Sequence, residues 1–374
     1  MLKDFIYLDY AASSPMHPAV LSRMTEIMSE TCGNPSSVHR FGRNARQIIR
    51  ESRRIISQAI EAAPSEIIFT SGGTEGNNTV FHSVPMTYDY QKKHVITSQI
   101  EHPSVLEACT FLERAGWDIT YLPVTEQGVV SICDLKNALR DDTVLVSIML
   151  ANNETGAIQP ISEFGEILKN HSALFHVDAV QGFGRLPIDV ATLACDFMTL
   201  SAHKIGGPKG VGALYVKGGT PFEPLIHGGA QERHLRAGTE NLAGIAGFSR
   251  AVEVFTQDTS ALREAFLSPL QGLDYVLNTD LTHSVRHILN ISFPGISQEA
   301  LLTNLDLAGI AISAGSACSA GSILPSHVLE AMFGIGSTRA KNGIRISFGF
   351  ENTVEEVSMA GLELKKIVEK LRQG

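Results

Sequence analysis

Residues 197–210 read FMTLSAHKIGGPKG. The apolar run from Phe197 to Leu200 stops at Ser201-Ala202-His203-Lys204, and a glycine-rich turn, Ile205-Gly206-Gly207-Pro208-Lys209-Gly210, follows. A short apolar run bounded by turn residues is the pattern of a strand buried on both faces. The same grammar recurs along the chain: a β-branched apolar run, a polar or glycine-rich break, then an amphipathic stretch.

Outward from this stretch, strands are expected at Ile67–Thr70, His94–Thr97, Asp118–Leu122, Thr143–Leu150, Leu174–Asp178 and Gly212–Val216. Asn44–Ile60 carries Ile48, Ile49, Ile55, Ile56 and Ile60 at helical period, and Val105–Arg114 reads as a helix stopped by Gly116. Strands separated by helices need crossover connections, so the expected fold is α/β, with a mostly parallel sheet flanked by helices. The last third changes character. Strands are expected at Ile288–Phe293 and Ile344–Phe348, and helices at Glu299–Leu307 and Thr353–Leu371. The last helix opens with a Thr353/Glu356 capping box and buries Val354, Val357, Leu364, Ile367, Val368 and Leu371. This gives a large domain over residues 15–255 and a smaller α+β domain from 1–14 and 256–374.

The 374 residues are 44% hydrophobic and 18% charged, with net charge −9, which fits neither a disordered chain nor a nucleic-acid-binding surface. The longest apolar stretch, Thr143–Ala151, is well short of the roughly 20 residues that span a membrane. No signal-peptide pattern opens the sequence, so a cytoplasmic, membrane-free protein is expected. The five cysteines, Cys32, Cys109, Cys133, Cys195 and Cys318, are scattered without metal-ligand spacing, and the default for each is inert core.

In parallel sheets ligands gather at the carboxyl ends of strands, so the breaks carry the chemistry. After IIFT comes Ser71-Gly72-Gly73-Thr74-Glu75-Gly76-Asn77-Asn78, either a phosphate cradle or an ordinary glycine-rich turn. Asp178 ends an apolar strand, suited to holding a cationic ring nitrogen or to capping a helix. Lys204 sits at a strand end, either a partly desolvated amine able to form a Schiff base or a surface lysine. His102, in Glu101-His102-Pro103-Ser104, is a ring-stacking residue or a hydrogen-bonded structural one. Together, a phosphate nest, a histidine, an aspartate and a lysine, each following a strand, describe a site for pyridoxal phosphate (PLP).

At this point the sequence resembles the cysteine desulfurases of the NifS/IscS type, class-V aminotransferases of PLP fold type I. The motifs GNPSSVH, TSGGTEGNN, EHPSVL, NNETG, HVDAVQ, SAHKIGGPKG, RAGTEN, NISFPG and GSACSAGS carry the likeness from Tyr7 to Phe350. The resemblance implies Lys204 as the Schiff-base lysine, His102 stacking on the ring and shuttling protons, Asp178 at the ring nitrogen and Gln181 at the phenolic oxygen. Gly73, Thr74, Ser201 and His203 would hold the phosphate, with Thr239 reaching it from the neighbouring subunit of a homodimer. Asn153 and Arg345 would bind the substrate carboxylate, the arginine through its bidentate fork. Asn34 and His39 would border the site. Cys318, in a ten-residue run without a large side chain, reads as a small-residue turn on composition; the resemblance makes it the nucleophile. It would attack the sulfur of L-cysteine, leave alanine, and pass its persulfide to an acceptor, an Fe–S scaffold or a tRNA-thiolating enzyme.

Three positions depart from the family pattern: Ala230 and His234 stand where glycine is usual, and Ala237 where serine is usual. Arg40, Arg43, Arg46, Arg50, Arg53 and Arg54 form a basic run, which the interleaved isoleucines make the solvated face of a helix rather than a nucleic-acid site. Docking of an acidic partner is the alternative use of that face. Competing readings are a selenocysteine lyase, a catalytically silent dimeric platform, and an aminotransferase, which would leave Cys318 without a purpose.

Overall fold

The computed structural model describes residues 5–87, 93–255, 258–315 and 325–373. After a two-residue strand, β1 (Ile6–Tyr7), come helices α1 (Pro18–Glu30) and α2 (Arg40–Gln58), then a seven-stranded sheet. Its strands are β2 (Ile67–Thr70), β3 (His94–Ser98), β4 (Asp118–Leu122), β5 (Thr143–Met149), β6 (Leu174–Asp178), β7 (Phe197–Ser201) and β8 (Gly212–Val216). They lie in the order β2-β8-β7-β6-β5-β3-β4. Strands β4, β3, β5, β6 and β7 are mutually parallel, while β8 is antiparallel to both β7 and β2. Two reversals leave β2 running with β7. The carboxyl ends of β2, β3, β5, β6 and β7 therefore all open on one edge of the sheet.

Both faces of the sheet are covered. Alternate residues of β7 enter different cores, Met198 and Leu200 one cluster and Phe197 the other. This explains why these strands read as unbroken apolar runs. Helices α3 (Gly73–Thr87) and α4 (Pro103–Arg114) follow β2 and β3 directly.

The second sheet is antiparallel, built from β9 (Val276–Leu277), β10 (Ile288–Ser292), β12 (Ser313–Ala314) and β13 (Gly343–Ser347) in the order β12-β13-β10-β9. The intervening β11 (Ile310–Ala311) pairs in parallel with β1. A separate apolar cluster gathers Leu8 with residues between Leu262 and Val368. The last helix, Val354–Gln373, opens with the expected box: Thr353 N–H donates to Glu356 Oε2 and Glu356 N–H to Thr353 Oγ1, both at 3.1 Å. Val354 corrects the expected apolar stripe, because it lies in the first turn and is 46% exposed.

Two further expectations are corrected. Arg53 is not on the solvated face of α2: its guanidinium is buried, holds Glu232 Oε1 and Oε2 at 2.6 and 2.7 Å, and lies 4.8 Å from the centroid of the Phe69 ring. Cys109 and Cys195 are buried, with burial pushing both thiols up, but Cys32 and Cys133 are exposed and belong to no core. Among the described residues no helix is long and apolar enough to cross a membrane.

Candidate active site

Asp178, the last residue of β6, is buried where its strand meets the open edge. Its Oδ1 accepts the Val180 N–H at 3.0 Å and its Oδ2 accepts Asn77 Nδ2 at 2.7 Å. The first bond is the local capping contact; the second ties the carboxylate to α3. Two glycines allow that approach, since a β-carbon on Gly73 would come within 2.9 Å of Val180 Cγ2 and one on Gly76 within 2.8 Å of Thr199 Cγ2. The same Asn77 amide donates to Ser104 Oγ at 2.8 Å, and Ser104 Oγ lies 2.8 Å from His102 Nδ1. A chain of side chains thus runs from Asp178 through Asn77 and Ser104 to His102.

His102 caps α4, and its Nδ1 also accepts the Ser104 N–H at 3.1 Å. A nitrogen that accepts from a backbone N–H carries no proton itself, so this network assigns the ring proton to Nε2. Burial pulls the His102 pKa below its usual value; Asp178 opposes this, and Lys204 and His327 add to it. His102 is therefore a neutral ring, a donor at Nε2. Its neighbour Glu101 is completely buried, with Oε1 accepting Ser98 Oγ at 2.7 Å and Met149 N–H at 3.0 Å, and Oε2 without a partner. Burial pushes this carboxyl up to about 8.

Lys204 is half-buried, not a surface lysine. It closes the turn Ala202–Lys204 after β7, and Nζ donates to the Ala11 and Ala12 carbonyls at 2.7 and 2.8 Å. Its own carbonyl accepts Ser14 Oγ at 3.0 Å and Arg185 Nη2 at 3.1 Å. Beside it, Ser201 Oγ is buried and has no hydrogen-bond partner among the described residues, and His203 Nδ1 lies 3.3 Å from Ser13 Oγ. Burial holds His203 down at about 4, with Lys204, Lys209 and His102 adding to the effect. Gly73 starts α3 and Thr74 is exposed in its first turn, where a helix offers free N–H groups to an anion. Gln181 gives Nε2 to the Ala11 carbonyl at 2.9 Å, which leaves Oε1 buried and unpaired.

Arg345, on β13, is buried and already engaged: Nη1 donates to the Asn153 carbonyl at 2.9 Å, and Nη2 to Asp9 Oδ1 at 2.8 Å and Ser313 Oγ at 2.7 Å. Nε has no partner. The open bidentate fork expected of this residue is thus occupied on its Nη edge, because Asp9 is there. Asn34 and Thr239 are exposed. Asn34 Oδ1 accepts the Ser36 N–H at 2.8 Å and His39 caps α2, contacts that are local to their own segment. Cys318 lies outside the described residues.

Of the departures from the family pattern, His234 has a backbone reason to stand out. Glu232, Arg233 and His234 take φ of +46°, +60° and +68°, the left-handed region that favours glycine. Ala237 is buried against Gly228, and Ala230 precedes the strained turn.

Asn77, Ser104, Arg185 and the carbonyls of Ala11 and Ala12 were not assigned roles from the sequence. Asn77 and Ser104 lie inside motifs that were read, but their pairing joins segments 27 residues apart and leaves no local signature.

Comparison with known proteins bears on the same residues. The model of the family described as Aminotransferase class-V matches residues 6–359. A Bacillus subtilis (strain 168) protein designated IscS 1 is 49% identical over 375 residues, covering 98% of this chain and 99% of its own length. The cysteine desulfurase IscS of Dictyoglomus turgidum is 46% identical over 380 residues, covering 99% and 96%. Among solved structures, a NifS-like protein superposes with a TM-score of 0.91 at 39% identity, over 99% of this chain and 100% of that one. SspA in complex with cysteine gives 0.85 at 38% identity, over 91% and 98%.

Proposed function

The chain belongs to the aminotransferase class-V family, and we infer that it acts as a PLP-dependent cysteine desulfurase, converting L-cysteine to L-alanine. The observation that carries this is the convergence of Asp178, His102 and Lys204 from three strand ends, the first two joined through Asn77 and Ser104.

The residues present fit PLP. The unpaired Ser201 Oγ, His203, Thr74 and the N-terminus of α3 from Gly73 make a phosphate site, Asp178 is the partner for a protonated ring nitrogen, and Gln181 Oε1 is free to accept from a phenolic hydroxyl. Bound PLP supplies an aldehyde for Lys204 and a ring that takes up electrons from the substrate. Lys204 removes the Cα proton of L-cysteine. His102, with its proton on Nε2, is placed to give that proton to the carbon product and to take one back from the thiol of Cys318. That thiolate attacks the substrate sulfur: the Cβ–S bond breaks, an S–S bond forms, and Cys318 is left as a persulfide. Asn153 and the Arg345 guanidinium bind the substrate carboxylate, Arg345 through Nε unless Asp9 gives way.

A homodimer, with Thr239 of one subunit reaching the phosphate of the other, accounts for the exposed position of Thr239. Asn34 serves the site from the same interface. The persulfide passes to an acceptor protein of Fe–S assembly or tRNA thiolation, in the cytoplasm. The two sheets and their separate apolar clusters support a large domain over 15–255 and a small one from 1–14 and 256–374.

Single-turnover reaction with L-cysteine tests the reading. Wild type forms alanine and one persulfide per subunit, whereas Cys318→Ala binds PLP and forms no protein persulfide. Equal release of alanine and elemental sulfur by both would instead assign a lyase.

A further inference from the structure

Glu154, in the loop after β5, is 1% exposed yet carries a carboxylate. Its Oε2 accepts Ser326 Oγ at 2.5 Å, and Ser326 Oγ accepts the Leu329 N–H at 3.1 Å, capping the helix His327–Phe333. Gly315 backs onto the same carboxylate, where a β-carbon would overlap Oε2. Gly315 and Ser326 flank residues 316–324, which include Cys318. Both flanks are fastened further. Ser313 Oγ donates to Asp9 Oδ1 at 3.0 Å and accepts from Arg345, and His327 Nε2 donates to the Glu101 carbonyl at 3.0 Å, one residue from His102.

A buried carboxylate is costly unless it is hydrogen-bonded, and a neutral side chain would fill this space as well. What the carboxylate adds is a directional, charge-assisted bond to Ser326. Its approach to Gly315 means that a side chain there would push the carboxylate off its present position. One group thus meets both flanks of the segment that bears the nucleophile, beside His102 and the substrate-binding Arg345.

Resting on the desulfurase reading, we propose that Glu154 is a positioning residue for sulfur transfer, holding Ser326 on one flank of the Cys318 segment and lying against Gly315 on the other. It takes no part in PLP or cysteine binding. The step it serves is balanced: the substrate C–S bond breaks, the S–S bond to Cys318 forms, and the thiol hydrogen ends on the carbon product, alanine.

The test uses PLP-loaded Glu154→Ala, Glu154→Gln and Ser326→Ala. Three quantities are read: L-cysteine binding from the visible absorbance of bound PLP, single-turnover persulfide formation at Cys318 by mass spectrometry, and amide exchange at Leu329. Loss of a bond to a charged group should slow persulfide formation by about tenfold or more in Glu154→Ala and Ser326→Ala. Cysteine binding should stay within about twofold of wild type, and Leu329 should exchange faster. Glu154→Gln keeps an acceptor oxygen and should retain most of the rate. Wild-type persulfide rates in both Glu154→Ala and Ser326→Ala would overturn the proposal, and so would a proportional loss of cysteine binding. Should Glu154→Ala not fold, Ser326→Ala decides. A wild-type enzyme that forms no persulfide at all would overturn the desulfurase reading itself.

Discussion

Replacing Glu101 by glutamine should change how stability depends on pH, in the direction opposite to an ordinary paired carboxylate. The side chain is fully buried, Oε1 takes two hydrogen bonds, and Oε2 has none among the described residues. Burial, with Asp178 adding, pushes its pKa up to about 8 from 4.5. Between those values the folded protein holds a proton that the unfolded chain has released. Stability is therefore fully present below the unfolded pKa and falls as pH rises towards 8, by about 1.4 kcal/mol per unit. From pH 5 to pH 7 the wild type should lose about 3 kcal/mol through this one group. Glutamine is neutral throughout and loses none. Its extra buried N–H groups cost a constant amount, on the order of 1–3 kcal/mol, so the slope matters rather than the offset. Urea unfolding of PLP-loaded wild type and Glu101→Gln at half-unit steps from pH 5 to 8 measures it. The difference between them should shift towards the variant by about 3 kcal/mol over the first two units. A difference that stays flat would mean that Glu101 is ionised in the folded protein, and the argument would be wrong.

Other changes have equally definite outcomes. His234→Gly relieves a left-handed backbone at φ +68° and should raise stability by up to about 1 kcal/mol in thermal melts without changing PLP content; a loss would show that the side chain matters more than the backbone. Glu232→Ala leaves Arg53 buried without its bidentate partner and should cost about 3–5 kcal/mol, so a change under about 1 kcal/mol in denaturant titrations would contradict burial of the pair. Ser104→Ala removes a donor to His102 Nδ1 that favours the neutral ring. The acid limb of the rate–pH profile should then move up by roughly half a unit to one unit, and an unmoved limb would detach His102 from it.

Much of the fold was legible because buried strands announce themselves. The runs Ile67–Thr70, Leu174–Asp178 and Gly212–Val216 match the structure residue for residue, each a largely apolar run cut by a sharp break. The direction of β8 was not read, although the turn between Ser201 and Gly212 is shorter than the dozen or so residues that a parallel crossover needs. At the candidate site, Asp178, Lys204 and His102 were singled out because each ends or follows a strand, although position alone decides none of them. Those that act through long-range contacts were not. Arg53 looks like one more cation on a basic face until Glu232, 179 residues away, turns it inward. Arg345 looks like an open carboxylate clamp until Asp9, 336 residues away, occupies it.

The N-terminal residues 9–14 are where the two sheets are brought to one site. Asp9 bridges to Ser347 of β13 and takes Arg345, Ala11 and Ala12 take the Lys204 ammonium, Ser13 meets His203, and Ser14 holds the Lys204 carbonyl. Ala11 N–H also donates to Ser347 Oγ at 2.8 Å. Six residues therefore link the strand that carries Arg345 to the turn that carries Lys204, the two residues to which the proposed function gives the substrate carboxylate and the Cα proton. The distance between those groups must match one substrate, from its carboxylate to its Cα. A short segment folded into a turn, with the Ala12 and Ser13 N–H groups donating to the Asp9 carbonyl, and hydrogen-bonded at both ends sets that distance more firmly than side chains alone. Asp9 also neutralises Arg345 before substrate arrives. A substrate carboxylate must then use the unpaired Nε–H or displace Asp9, and displacement would lengthen the link to Lys204. The Nε route leaves the link to Lys204 intact, but Nε is itself buried, so a substrate carboxylate reaches it only if the groups covering Arg345 move aside.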